Sequence, residues 1–311
     1  MVKRPTTKNV LVNFHEKVTD RLLSTVATDT GDRLLAKVRL ADVIDVEHVT
    51  GRAKQYALAA HLDFVMVHAE TSAPRFAVEL DGSQHWDDPV VRERDRIKDE
   101  LCELAGLPLL RITSDLTRRE GRWTVLTYLV DAFYMAEAFY EAQERGAIPW
   151  DEPFVVSSSI AFDAEGGPTF NSLDAKALLA LNGHAEAGRL PHGSPDVFRT
   201  ARSDEGAVFA HAFLAVAPAR YLVSRVKVRD FRFQGISPGE IAEQLALAEL
   251  GELAEQWLAG AAVACDAKTL TALLSEVQAN IDAGGFRGSA TSGALAPGGA
   301  LPASAEINIH F

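Results

Sequence analysis

Apolar residues recur every three or four positions at Val10, Leu11, Phe14, Val18, Leu22 and Val26. That spacing predicts a helix over residues 8–27 with one buried face and Glu16 off it. A polar TDTGD turn follows, and KVRLADVI alternates through Val38 and Leu40 as a short strand does. Next, HLDFVMVHAE and RFAVELDG form two strand-like runs joined by TSAP, too short for a crossover helix, which predicts an antiparallel hairpin. Asp87 and Asp88 before Pro89 read as a helix start. The helix runs on through VVRERDRIKDELCELAG, with Ile97, Leu101 and Leu104 toward the sheet and Asp95 and Lys98 sharing another face. Gly106 ends it, and LPLLRI is apolar in the way of a strand from the middle of a sheet. The predicted order is αβββαβ, an α/β unit.

Residues 122–145 predict a further helix whose apolar coverage is wider than one stripe, as in a helix that bridges two bodies. Its aromatic rings fall within the helical pattern and read as core rather than as a base-stacking platform. Residues 150–283 predict a second, α+β region. Its strands are PFVVSSSIAF and FAHAFLAVAPARYLVSRVKVRDF; its helices are SLDAKALLAL, a long segment capped by Ser237 with Pro238 and Glu240, and DAKTLTALLSEVQANI. The remaining stretch is rich in Gly, Ala, Ser and Pro and predicts a flexible tail. The domain division expected is therefore 1–120, a bridge over 121–149, 150–283, and a tail over 284–311.

Composition narrows the class. With 311 residues, 47% hydrophobic and 24% charged, the chain reads as a globular protein and not as a disordered one. Cys102 and Cys265 lack any zinc or disulfide spacing, which fits a reducing cytoplasm. No run reaches the roughly 18 apolar residues of a membrane span, so no membrane partner is expected. The net charge of -12 argues against a protein that coats nucleic acid. Most of the excess acid, however, falls after residue 120, and the first 120 residues are close to neutral.

The chemistry concentrates at the hairpin. Asp63 and Glu79 lie near the ends of adjacent strands, and two carboxylates so placed suit Mg2+ (or Mn2+), a hard cation that takes oxygen ligands. Side chains alternate along a strand, so Glu79 and Asp81 share a side while Val78 and Leu80 face the core. One acid in a strand is most often a solvated face, and Asp81-Gly82 alone is most often a turn. Their combination with His85, and with a helix bearing Arg94, Asp95 and Lys98, outweighs those readings. Three carboxylates held together without a metal repel, so at least one raised carboxyl pKa is expected.

The run LDFVMVHAETSAPRFAVELDGSQHWDDPVVRERDRIKDELCELAGLPLLRI resembles the DUF2726 family, relatives of the very-short-patch-repair-like endonucleases in the PD-(D/E)XK superfamily. The shared pattern is a DF strand, an E-x-D-G strand, a following His, an R-D-x-x-K helix and a G-x-P-L-L-R-I strand. Upstream, HEKVTDRLL and AKVRLADVI look like the family's opening helix with its Glu and the strand after it. The resemblance implies a restriction-endonuclease-like core over residues 10–115. It makes Asp63, Glu79 and the backbone carbonyl of Leu80 metal ligands, with Glu16 near the site. Where the superfamily name demands Lys, this chain has Asp81. Either Lys98 orients the attacking water, or Asp81 adds metal affinity and His85 serves as acid or base. Arg92, Arg94 and Arg96 are the phosphate-contact candidates. The expected activity is metal-dependent hydrolysis of phosphodiester bonds in DNA; the alternative is a catalytically inactive nuclease-fold module that binds DNA or a protein partner. The second region shows no catalytic constellation and is expected to serve target choice, a homodimer contact or a protein partner.

Overall fold

Asn13 starts the first helix. Its side chain accepts a hydrogen bond from the Glu16 backbone N–H at 2.8 Å, and the Glu16 carboxylate accepts one from the Asn13 N–H at 3.2 Å, a reciprocal cap. Helix α1 (Phe14–Thr30) ends at Gly31, whose φ of 74° closes the turn. In this computed structural model the described residues are 9–11, 13–81, 89–113, 119–120, 123–158, 160–162, 168–202 and 206–282. His85, the Asp87–Asp88 helix start and the tail expected over 284–311 lie outside them. The cap fixes the phase of α1, and the buried face is Glu16, Thr19, Leu23, Val26 and Ala27. Val10 and Phe14, expected inside, are exposed. Glu16 belongs to the buried face because its carboxylate has fixed polar partners there.

The chain divides into two compact units, residues 1–137 with 231–234, and residues 138–230 with 235–311. In the first, α1 is followed by β1 (Arg33–Arg39), a 3-10 turn (Leu40–Asp42), α2 (Gly51–Ala59), β2 (His61–Val67) and β3 (Pro74–Leu80). Then come α3 (Pro89–Leu104), β4 (Leu109–Ile112), the short pair β5 (Arg119–Glu120) and β6 (Trp123–Thr124), and α4 (Val125–Glu144), within which the division falls. The sheet order is β1-β2-β3-β4, antiparallel up to β3 and parallel between β3 and β4. Helix α2 is an element that the expected αβββαβ order lacks. Only Ala57 of it is buried, so its sequence carries little apolar periodicity.

Strand alternation sorts this sheet into two packed faces. Val65, Val67 and Ala77 join Leu40, Ala57, Ile97, Leu101 and Cys102 under α2 and α3. Phe64, Met66, Phe76 and Val78 take the opposite direction, and the Phe76 ring meets Phe133 of α4 with centroids 4.9 Å apart. Each such buried ring contributes about 1.5–3 kcal/mol. Leu104, expected to face the sheet, is exposed; the chain turns at Gly106 (φ 68°) and Leu107 takes the core position instead. Strand β4 ends the sheet order rather than standing in its middle. It is nonetheless buried along its length, and residues 231–234 return to this unit. Arg232 bridges Leu109 in antiparallel fashion and pairs with Glu103, while Phe233 stacks on Phe133 at 5.1 Å.

The second unit holds a short antiparallel pair, β7 (Ile160–Phe162) and β8 (Pro168–Phe170), then α5 (Ala175–Glu186). It continues through β9 (Asp196–Arg202), β10 (Ala207–Ala217), β11 (Arg220–Arg229), α6 (Pro238–Leu258), β12 (Cys265–Asp266) and α7 (Ala267–Asn280). The antiparallel sheet runs β12-β11-β10-β9. Residues 207–216 of β10 are all buried, which a strand shows when both of its faces are covered. Helix α7 packs Leu270, Leu274 and Val277 on Phe198, Phe213 and Tyr221, and α6 packs along β10 and β11. The expected strand over 153–162 shrinks to β7, preceded by a 3-10 turn (Val156–Ser158). Strand β9 was hidden in the sequence by Asp196, Arg199 and Arg202, which break its apolar pattern. No described helix is long and apolar enough to cross a membrane.

Helix α5 lies so close to α6 that a Cβ on Gly251 would stand 2.5 Å from the Ala177 Cβ. A Gly to Ala change in a solvated helix stabilises by about 1 kcal/mol. Here overpacking reverses the sign, and Gly251→Ala is expected to lose about 1–3 kcal/mol. Urea unfolding of the two proteins measures it, and a stabilised variant would refute this packing.

Candidate functional site

The register of β2 and β3 sets Asp63 beside Glu79, one residue beyond the Phe64–Val78 pair. The two strands tie these acids to one another: the Glu79 carboxylate accepts from the Asp63 backbone N–H at 3.1 Å, and the Asp63 carboxylate accepts from the Leu80 N–H at 2.9 Å. Each acid thus has one oxygen held by the opposite strand's backbone. The second oxygen of each takes a lysine. Lys98 of α3 reaches Glu79 at 2.6 Å and also donates to the His61 carbonyl at 2.9 Å. Lys37 of β1 reaches Asp63 at 2.7 Å and Glu16 at 2.8 Å.

Lys37 was not singled out in the sequence. It sits between the pairs Ala36–Phe64 and Val38–Leu62, level with Asp63, and the register is the same on both sides of it. Its φ is 55°, left-handed in the middle of a strand. A residue with a side chain loses about 1–2 kcal/mol in that conformation, and such strain persists only where the surroundings impose it. Glu16 from α1 and Asp63 from β2 are the groups that hold the ammonium there. The signal available in the sequence was a lone lysine in an otherwise regular strand, which is too common to mark a site.

Glu79 is 7% exposed, because α3 covers the face that the sequence pattern left open to solvent. Burial pushes its pKa up; Lys98 opposes this, and the charge on Asp63 adds to it. The direction is the one expected of crowded acids, yet desolvation rather than repulsion is the main cause. For Lys37, burial disfavours the charged form, but hydrogen bonds and charge from Asp63 and Glu16 prevail and raise its pKa. Lys37 retains 28% of its side-chain exposure against 8% for Lys98, so it is the lysine that faces outward.

Asp81 shares the Glu79 side of β3 but has a different role. Its carboxylate meets Arg111 of β4 at 3.0 Å, and the same guanidinium meets Asp95 at 3.3 Å and Asp99 at 2.7 Å. Burial disfavours the Arg111 charge, and Asp81, Asp99 and Asp95 more than restore it. Asp95 is therefore turned to the sheet, and it and Asp81 belong to an arginine-centred cluster beside the Asp63–Glu79 pair. Among the described residues no three His, Cys, Asp or Glu side chains assemble into a metal-holding group. The oxygen donors of this centre that suit a hard divalent cation are the two carboxylates of Asp63 and Glu79, which is the number that Mg2+ takes from protein when waters and phosphate complete its shell. Arg92, Arg94 and Arg96 are exposed on α3, with Arg96 held between Glu93 and Glu100. His85 lies outside the described residues.

Removing Lys98 leaves Glu79 buried without its ammonium partner. In metal-free buffer, Lys98→Met is expected to lose about 3–5 kcal/mol at pH 8. The folded-state pKa of Glu79 then stands further above its unfolded value, so the folded state binds more protons between the two, and stability falls as pH rises through that window. Urea unfolding at pH 8 and pH 5 checks this: the deficit shrinks at the lower pH, and an equal deficit at both would refute it.

A family model described as "Protein of unknown function (DUF2726)" matches residues 8–123, which include every member of the acid and lysine centre. No curated protein and no solved structure matches the chain.

Proposed function

We propose that the Asp63–Glu79 centre hydrolyses phosphodiester bonds of DNA with Mg2+ or Mn2+, in a domain of the restriction-endonuclease-like kind to which its sequence is similar. The observation that carries this reading is the side-by-side placement of two acids on neighbouring strands, each held by a backbone N–H of the opposite strand. Acids crowded in this way favour a cation between them. When bound, the metal lowers the pKa of a water and neutralises charge that grows on the phosphate. Asp63 and Glu79 would hold it together with the Leu80 carbonyl, while Asp81 stays with Arg111. Lys98, fixed by the His61 carbonyl, orients Glu79. Lys37, the more exposed of the two lysines, is available to a phosphate oxygen once a cation relieves it of Asp63. Arg92 and Arg94 on the exposed face of α3 are the further phosphate contacts.

One observation favours a second reading, a nuclease-fold module that binds without cleaving. Asp63, Glu79 and Asp81 each already have a cationic partner, so the cluster is neutralised as it stands.

The test is incubation of the purified chain with labelled single- and double-stranded DNA in Mg2+ or Mn2+, with EDTA, Glu79→Ala, Asp63→Asn and Lys98→Ala alongside. Cleavage is expected, lost to background in EDTA and in either acid variant, and reduced by about 10–100-fold in Lys98→Ala, which perturbs a ligand rather than removing it. Binding without cleavage, undiminished in Asp63→Asn, would establish the second reading.

A further inference from the structure

The second unit contains a cavity of about 500 Å3 lined by Ser157, Asp174, Arg199, Ser237, Glu240, Glu243 and Gln244. Its size is that of a small-molecule site. Four elements build it: the 3-10 turn that holds Ser157, the turn before α5, strand β9, and the first two turns of α6. Most of the charge on its wall is already committed. Glu240 accepts from the Ser237 N–H at 2.8 Å and hydroxyl at 2.7 Å, capping α6. Arg199 lies across Gly239, whose Cβ position is 3.5 Å from the arginine Cδ, and pairs with Glu243 at 3.1 Å. The Gln244 carbonyl oxygen accepts from the Leu173 N–H at 3.1 Å.

Asp174 is the exception. It stands at the N-cap position of α5, yet its side chain makes no capping hydrogen bond. The residue is 8% exposed. Burial pushes its pKa up, offset in part by the Ser172 hydroxyl and its own backbone N–H. Buried carboxylates are ordinarily paired with a cation, and no ion pair of the described residues includes Asp174. Among the described residues the one cation on the cavity wall, Arg199, is taken by Glu243. The cavity therefore combines three carboxylates with one guanidinium, and its remaining groups are hydroxyls and an amide suited to hydrogen bonding.

We propose that this cavity binds a small organic cation, a ligand whose ammonium or guanidinium group pairs with Asp174 while Ser157 and Gln244 contact its polar remainder. The site is separate from the Asp63–Glu79 centre and does not depend on the reading of that centre.

Calorimetric titration of the full chain with agmatine, which carries a guanidinium and an ammonium, tests this, with glutarate as a probe of similar size and opposite charge. Saturable binding of agmatine and none of glutarate is expected. Asp174→Asn keeps the side-chain volume and removes the charge, and should weaken agmatine at least tenfold. Ser157→Phe, which fills the cavity from another element, should do the same and covers the case in which the first variant does not fold. Failure of agmatine to bind the unmodified chain, or equal binding by it and both folded variants, would overturn the proposal.

Discussion

Hydrogen bonding across β2 and β3, from the Asp63 N–H to Glu79 and from the Leu80 N–H to Asp63, is the constraint around which the first unit is arranged. Each carboxylate is fixed by a backbone N–H of the opposite strand, so the acids are part of the ladder and not appendages to it. Charges placed between two strands need partners from neighbouring elements, and that requirement brings Lys98 in from α3 and Lys37 in from the adjacent strand β1. The positions of α1 and α3 follow in part from this. Glu16 caps α1 and holds Lys37 with the same carboxylate, so the start of one helix and the charge of the centre are linked through a single side chain.

Beside this pair, Arg111 does for the neighbouring acids what the lysines do for Asp63 and Glu79. It gathers Asp81, Asp95 and Asp99 from β3 and α3. A guanidinium is planar and permanently charged and can gather several carboxylates at once, whereas a lysine ammonium is a compact point charge on a flexible stem. The contrast divides the acids of this face into a set gathered on one guanidinium and a pair in which each acid has its own lysine.

Much of this unit was legible in the sequence. The β2–β3 hairpin, the α3 helix and the same-side placement of Glu79 and Asp81 follow from period-2 and period-3.6 patterns that tertiary packing left intact. The face of α1 was misread because its buried residues include Glu16 and Thr19, polar groups that apolar periodicity discounts. Helix α2 escaped for the opposite reason, having almost nothing buried. Lys37 could not have been found, since its significance lies in a backbone angle and in contacts with residues 21 and 26 positions away. In the second unit, Asp174 was invisible because an aspartate ahead of a helix ordinarily reads as a cap, and here it is not one.

The return of residues 231–234 to the first unit has a consequence for the order in which the protein is made. Phe233 completes the aromatic cluster with Phe76 and Phe133, and Arg232 bridges Leu109 at the start of β4. During synthesis these residues emerge only after β9, β10 and β11 of the second unit. Until then the nascent first unit carries an open strand edge and an unfilled aromatic socket, features that invite pairing with other chains. A chain cut after α4 would lack residues 231–234 and remain permanently in that state.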